Sequence, residues 1–346
     1  MHTMESEALP EGAETTPPRR HRVRRLVVTV LCVLLLAELT VRALESQLPP
    51  APVWDTDEYP MKIEQMDDLA ELGGAGTVLL GSSVADVSVD PAGLTPHDGR
   101  PAYNAGLIGA TPFIVDVWAR NIVLPTLRPS TVVIAISSRD VNRNGVGLEP
   151  SDARFLRAPA TRELLGTQSF VDEVEWQLSE WSALVRYRLL LRRPLEAVFG
   201  YDAPDRNMTE LSPTGLETHL LADQYQGSDV VLDFFRREPL AGYELSTHQL
   251  DALEGVMTWL RGQGIRVVLL DVPVTADYIA LHPQTDDFST YQAALAAIAG
   301  RTGAELWHPG TWEPEFFSDP LHLNGAGVDR LTAELNAYLT QGAAVP

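Results

Sequence analysis

Two residues near the C-terminus have types and spacing suited to proton transfer. In "FFSDPLHLNGAG", residues 316–327, Asp319 and His322 stand three apart, just before a segment of helical periodicity. A carboxylate so placed can accept a hydrogen bond from one imidazole nitrogen and fix the tautomer. The other nitrogen is then free to deprotonate a hydroxyl. The same stretch also reads as a plain helix start. Asn324 is a good N-cap, and apolar residues recur at Val328, Leu331 and Leu335. On that reading Asp319-Pro320 is a turn and His322 a surface residue. A metal site at Asp319 and His322 would need further ligands, and none stands at a recognisable spacing. His308, in "WHPG", reads as the end of a strand.

A hydroxyl for such a histidine is offered by "VLLGSSVADVSVDP", where Gly81 permits a tight turn after an apolar run and Ser83 follows at its tip. The plain alternative is an ordinary strand-to-loop turn. "YNAGLIGATP", residues 103–112, places Asn104, Gly106 and Gly109 in a loop before a helix, and glycines there let backbone N–H groups approach a ligand closely. It reads equally as a turn with an N-cap at Thr111-Pro112. A third small-residue turn, "AISSRDVN", carries Arg139 and Asp140. "GGAGTV" is no dinucleotide fingerprint, since its glycines precede the strand instead of following it.

These turns need a scaffold that brings them to one edge. Short continuous apolar runs at 77–80, 132–136 and 267–270, with a weaker one in "AELWHP", suit parallel strands buried on both faces. Helical patterns at 112–126, 246–263, 289–301 and 325–340 alternate with them. The expected fold is α/β, a three-layer α/β/α sandwich with a doubly wound, mainly parallel sheet. In such a sheet the chemistry lies at the C-terminal ends of the strands, here Gly81-Ser82-Ser83, Ser137-Ser138-Arg139-Asp140 and Asp271-Val272-Pro273. Residues 141–245 break the rhythm with one amphipathic stretch and Pro/Gly/Asp-rich loops, and read as an insertion over the site. Asn207-Met-Thr209 matches a glycosylation sequon, a pattern short enough to arise by chance.

The N-terminus carries a membrane signal. Five Arg lie between positions 19 and 25, followed by an uncharged run at 26–37. Extended to residue 44 the segment is roughly 27 Å long as a helix, close to a bilayer core. Glu38 and Arg42 interrupt its far end at the i,i+4 spacing of a helical ion pair. An uncleaved anchor competes with a signal segment cut after Val41-x-Ala43, and the Glu/Arg pair favours the anchor. In both cases the Arg cluster stays inside and the body goes outside. The expected order is a disordered cytoplasmic tail with its basic cluster at 1–22, a transmembrane helix or signal segment at 23–44, a linker at 45–72 and the α/β domain at 73–343, with 141–245 as its insertion.

Composition removes several function classes. The 346-residue chain has a formal net charge of −21, and its first 44 residues hold six Arg and five Glu, so the acidity lies in the body. Such a body is a poor nucleic-acid binder, because phosphate contacts need clustered Lys and Arg. Lys62 is the only lysine, which leaves almost no material for Schiff-base or Ser-Lys chemistry. The only cysteine, Cys32, lies in the apolar run, so the body has no thiol nucleophile and no disulfide.

Taken in order, "GSS", "NAGLIG" and "DPLHLNG" resemble the SGNH (GDSL-like) hydrolase superfamily. Its pattern is Gly-x-Ser after the first strand, Asn-x-x-x-x-Gly after the second, Gly-x-Asn-Asp after the third and Asp-x-x-His before the last helix. The resemblance covers about residues 75–340, without the insertion. It implies Ser83 as nucleophile, His322 as general base and then acid, and Asp319 as its orienter. It also implies oxyanion donors at the N–H groups of Ser83 and Gly109, with support from Asn104 and Asp140 and no cofactor. The third block departs, because Arg139 stands where the family has its oxyanion asparagine. Arg139 could stabilise an oxyanion, bind an anionic substrate or pair structurally with Asp140. With the anchor, the chain is similar to a membrane-bound branch that O-acylates envelope polysaccharides, as in alginate acetylation and teichoic acid D-alanylation. That likeness implies an acyl donor or acylated glycan as substrate and an integral-membrane acyltransferase as partner. The alternative is a non-catalytic envelope or complex-assembly protein that kept the fold and lost the chemistry.

Overall fold

The computed structural model describes residues 19–48, 58–145, 152, 155, 161–162, 170–188, 191 and 210–342. The tail before residue 19, the sequon at Asn207 and most of 146–209 lie outside the described residues.

The order of elements follows the expected alternation. Helices α1 (Arg19–Leu44) and α2 (Glu58–Glu71) precede β1 (Thr77–Gly81), α3 (Ser83–Asp86) and β2 (Ala102–Asn104). Then come α4 (Pro112–Trp118), a π-helical turn (Ala119–Val123), α5 (Leu124–Leu127) and β3 (Thr131–Ile136). Pro125 has no N–H to give to the carbonyl four residues back, a reason for the ladder to widen just before it. The insertion contributes α6 (Phe170–Trp181), α7 (Ala183–Arg186) and α8 (Asp229–Arg237). The chain closes with α9 (Thr247–Gly262), β4 (Arg266–Asp271), α10 (Ala276–Ala280), α11 (Asp287–Thr302), β5 (Glu305–Trp307) and α12 (Gly325–Gly342).

The five strands form one parallel sheet in the order β2-β1-β3-β4-β5, with Gly81 opposite Ala135 and Ile136 opposite Asp271. Successive residues of a strand face opposite ways. Val78, Leu80, Val132, Ile134, Val267 and Leu269 therefore join one core, and Leu79, Val133, Ala135, Val268 and Leu270 the other. Burial on both faces is why these runs are continuously apolar. The first core is closed by α2, α4, α9 and α11, with Tyr59, Trp118, Met257 and Leu295 buried among it. The second is closed by α3, α10 and α12, through Val84, Tyr278 and Leu331. The result is a three-layer α/β/α sandwich. Its sheet order reverses between β1 and β3, which opens a crevice at their C-terminal ends.

Three points of the structure were not in the sequence reading. Residues 45–72 are not a plain linker: α2 packs on the sheet with Glu58, Tyr59, Lys62 and Met66 buried. Its acidic and polar composition hid a role for Glu58 and Lys62 that depends on partners distant in sequence. The strand β2 was too short, at three residues, to stand out as an apolar run. The insertion is not a single cover. Among its described residues, α7 packs against the end of α1, whereas residues 210–226 run beside the turns after β1, β2 and the Asp-His loop.

Candidate active site

Gly81 makes the turn that presents Ser83. Its φ is +149°, and a Cβ there would stand 2.3 Å from the Ala135 carbonyl oxygen and 2.7 Å from the Ala85 Cβ. No other residue fits, because both the backbone conformation and the space are denied to a side chain. Ser82 caps the short α3, and Ser83 opens it with its side chain nearly buried.

The loop from β5 to α12 brings the acid and the base. Asn324 caps α12, accepting from the Gly327 N–H at 3.1 Å and donating to the Glu315 and Phe317 carbonyls. The Ser318 N–H and the Thr275 hydroxyl donate to the His322 and Pro320 carbonyls, so the loop is held from both sides. Within it Asp319 Oδ1 accepts the N–H groups of Leu321 and His322, each at 2.8 Å, while Oδ2 lies 2.7 Å from His322 Nδ1. Burial would raise the Asp319 pKa. The His322 charge and these donors outweigh burial and hold the carboxyl below its usual range. An ionised carboxylate can only accept, so Nδ1 carries a hydrogen, and in the neutral imidazole the lone pair then lies at Nε2. Ser83 Oγ stands 2.9 Å from that Nε2, across 239 residues of sequence. Ser83, His322 and Asp319 thus form one hydrogen-bonded chain, the arrangement that makes a hydroxyl nucleophilic by handing its proton to an oriented imidazole.

The loop after β2 lies beside this turn. Leu107 N–H donates to the Gly81 carbonyl at 3.0 Å, and Asn104 Nδ2 donates to the Ala85 and Asp86 carbonyls at the end of α3. Asn104 Oδ1 accepts from Gly106 N–H at 2.9 Å, so this fully buried side chain ties the loop to the serine helix. Gly109 has φ +73°. The N–H groups of Ser83 and Gly109 have no acceptor among the described residues, which leaves both able to donate to a developing oxyanion.

The structure does not bring Arg139 into contact with Ser83, His322 or Asp319. Its N–H donates to the Tyr278 hydroxyl at 3.2 Å, and its side chain is 23% exposed. Arg139 Nε stands 3.9 Å from Asp140 Oδ1, and neither atom has a hydrogen-bond partner. Asp140 instead caps its own turn, accepting the Ser137 N–H at 2.8 Å and hydroxyl at 2.9 Å through Oδ2. Burial raises its pKa against the opposing Arg139 charge.

Two features beside the site escaped the sequence reading. The first is a fully buried ion cluster. Lys62 Nζ lies 2.5 Å from Asp86 Oδ1 and 3.1 Å from Glu58 Oε1, and it also donates to the Gly106 carbonyl. Glu58 Oε2 accepts the Ile108 N–H at 2.9 Å. Burial and then Glu58 push the Asp86 carboxyl well above its usual range. The Lys62 pKa is raised too: burial would lower it, but the Asp86 and Glu58 charges outweigh that. The cluster clamps α2, α3 and the Gly106–Gly109 loop together. The second feature is His219, held by the buried Glu217, whose N–H donates to the Asp86 carbonyl at 3.1 Å. Burial and the neighbouring His322 lower the pKa of His219. No sequence spacing pairs it with His322. Another carboxylate–imidazole pair, Asp271 and His308 at 2.9 Å, lies at the end of β4, where Tyr291 and Gln292 also bond the carboxylate.

No protein-family model matches this chain, and no curated protein does. Solved structures do. A lipase/acylhydrolase from Enterococcus faecalis is 13% identical, over 76% of this chain and 94% of that one, with a TM-score of 0.35. A GDSL-like lipase from Bacteroides thetaiotaomicron is 12% identical, over 77% and 88%, with a TM-score of 0.36. A catalytic mutant of an acetylxylan esterase from Geobacillus stearothermophilus is 11% identical, over 76% and 93%, with a TM-score of 0.37. At that identity and superposition the chemistry of this chain rests on its own side chains.

Proposed function

We propose that this protein is a membrane-anchored serine esterase or O-acyltransferase that works through an acyl-enzyme on Ser83. The observation that carries the reading is the hydrogen-bonded chain from Ser83 through His322 to Asp319. Ser83 Oγ attacks the carbonyl carbon of an acyl ester as His322 Nε2 takes its proton. The carbonyl electrons move onto oxygen, facing the N–H groups of Ser83 and Gly109. Collapse of that intermediate expels the alcohol, which receives the proton from His322. Asp319 stays ionised and steadies the imidazolium. Water then releases the acyl group in an esterase, and a sugar hydroxyl accepts it in a transferase.

The anchor is α1. Residues Val23–Gln47 are long and apolar enough to cross a membrane, a property that a signal segment shares. Retention of the segment is supported by the bonds from Glu38 and Arg42 to residues 181–184, on the body side of the chain. With the Arg cluster inside, the domain faces the extracytoplasmic space, where an acylated envelope glycan would be the substrate and an integral-membrane acyltransferase the partner that supplies acyl groups.

Fluorophosphonate labelling of the full chain in detergent tests the reading. The wild type should be labelled, and Ser83→Ala should not. A folded wild type that takes no label would instead favour the non-catalytic reading.

A further inference from the structure

The interruption of the apolar N-terminal segment by Glu38 and Arg42 has a structural counterpart. The Glu38 carboxylate accepts three hydrogen bonds from the start of α7: the Ser182 hydroxyl at 2.7 Å and the N–H groups of Ala183 at 2.9 Å and Leu184 at 3.1 Å. Glu38 thereby satisfies backbone donors that a helix N-terminus leaves open. Arg42, 2.7 Å from Glu38, donates to the Trp181 carbonyl, and Arg186 pairs with Glu45. Val41, Ala183 and Tyr187 are buried together between these bonds. The end of α1 and the whole of α7 are one packed unit.

One residue, Ser182, separates α7 from α6, so the C-terminal end of α6, at Trp181, is held at the level of residues 38–42 of α1. It carries Phe170, Val174, Leu178 and Trp181, which are 80%, 39%, 51% and 82% exposed. At 3.6 residues per turn these four fall within an arc of about 80°. Glu180, also exposed, lies off that arc. The apolar side chains of α1 itself are exposed in the same way, Leu31, Leu35 and Leu36 among them. The stripe on α6 thus ends beside the foot of α1, on Trp181, a residue type enriched at the membrane–water boundary.

We propose that α6 is an interfacial helix, lying in the plane of the bilayer surface with Phe170, Val174, Leu178 and Trp181 among the acyl chains and headgroups. The occupant of this face is lipid. A second copy or a partner protein would have to reach a helix already fixed at the foot of the span, whereas lipid is present there wherever α1 crosses. The consequence is orientation. A single spanning helix lets a body swivel, but a second contact beside it fixes which side of the domain faces the membrane. The inference rests on the reading of α1 as a retained anchor.

The test uses the full chain with Cys32→Ser in phosphatidylcholine nanodiscs, carrying one cysteine at a time for an environment-sensitive fluorophore. Val33→Cys reports on the span, Leu178→Cys on the stripe and Glu180→Cys on the other side of α6. Nitroxide on the lipid acyl chains and iodide in the buffer are the two quenchers. An interfacial helix sinks its apolar face roughly 5–10 Å into the headgroup–acyl boundary. The labels at 33 and 178 should lose most of their emission to the acyl nitroxide and little to iodide, and the label at 180 should do the reverse. Lipid quenching at 33 with iodide quenching at 178 would overturn the proposal and leave the anchor standing. A label at 33 that iodide reaches would remove the anchor and the proposal with it. Shielding of 178 from both quenchers, with two chains per disc by mass, would give the face to a second copy and also overturn the proposal.

Discussion

Asp319 does two jobs with its two oxygens. Oδ1 holds the backbone of its own turn, and Oδ2 sets the tautomer of His322. Asp319→Asn keeps the size but can donate to Nδ1, which would leave Nε2 carrying the hydrogen. Turnover of an acyl ester should fall about ten-thousand-fold, as for loss of the orienting carboxylate in a serine triad. Ser83→Ala and His322→Ala should each remove nearly all turnover, because such residues act as a unit. Steady-state kinetics on a chromogenic ester reads all three. Arg139 separates from Asp140 in the same experiment. The two lie 3.9 Å apart with no hydrogen bond, so they are a loose pair. Arg139→Ala should cost little stability and, in an oxyanion role, lower kcat by roughly 100- to 1000-fold with KM nearly unchanged. A raised KM at constant kcat would move it to substrate binding. Equal thermal destabilisation by Arg139→Ala and Asp140→Asn would make it structural.

At the scale of elements, the site depends on a clamp made from three of them. Lys62 of α2 reaches Asp86 of α3 and the Gly106 carbonyl, and Glu58 holds the Ile108 N–H. Lys62→Met leaves two buried carboxyls without their cation, and breaking a buried pair costs about 3–5 kcal/mol. Urea unfolding should show a loss of that size, and kcat should fall as the Gly106–Gly109 loop loosens. The acid side of the clamp gives a pH signature. Burial and Glu58 hold the Asp86 carboxyl well above its usual range, so the folded protein keeps a proton there that the unfolded chain releases above about pH 3.9. Its contribution to stability is complete below that pH and is lost as pH rises through the folded value. Asp319 runs the other way: its folded value is depressed, so its contribution is present above about pH 3.9 and lost as pH falls. Asp86→Asn should therefore flatten the decline of the urea midpoint from acid toward neutral pH. An unchanged slope would place the shared proton elsewhere.

For the whole molecule, the proposed topology puts the Arg cluster at 19–25 and the acidic body on opposite sides of a membrane. With that topology, protease added to spheroplasts should digest the domain beyond residue 58 without permeabilisation. Protection of the domain until the membrane is opened would reverse the topology. The sheet sets the geometry of what is exposed. Ser83 follows β1 and Arg139 follows β3, neighbouring strands at the point where the order reverses, so both turns open into the same crevice.

The local sequence determined what depends on neighbours in the chain. Continuous apolar runs marked β1, β3 and β4 because these strands are buried on both faces, and Asn324 with its periodic apolar residues marked α12. Gly81, the Asp319–His322 turn and the apolar N-terminal helix were legible for the same reason, since a tight turn, a three-residue spacing and a long apolar run are local properties. Only the tertiary structure decided what depends on approach across the chain. It placed Ser83 Oγ against His322 Nε2 over 239 residues, turned a supposed linker into α2, and gave the one lysine two carboxylates and a loop to hold. It also joined Glu38 to α7, which no spacing announces, because the backbone donors that this half-buried carboxylate accepts come from a segment distant in sequence.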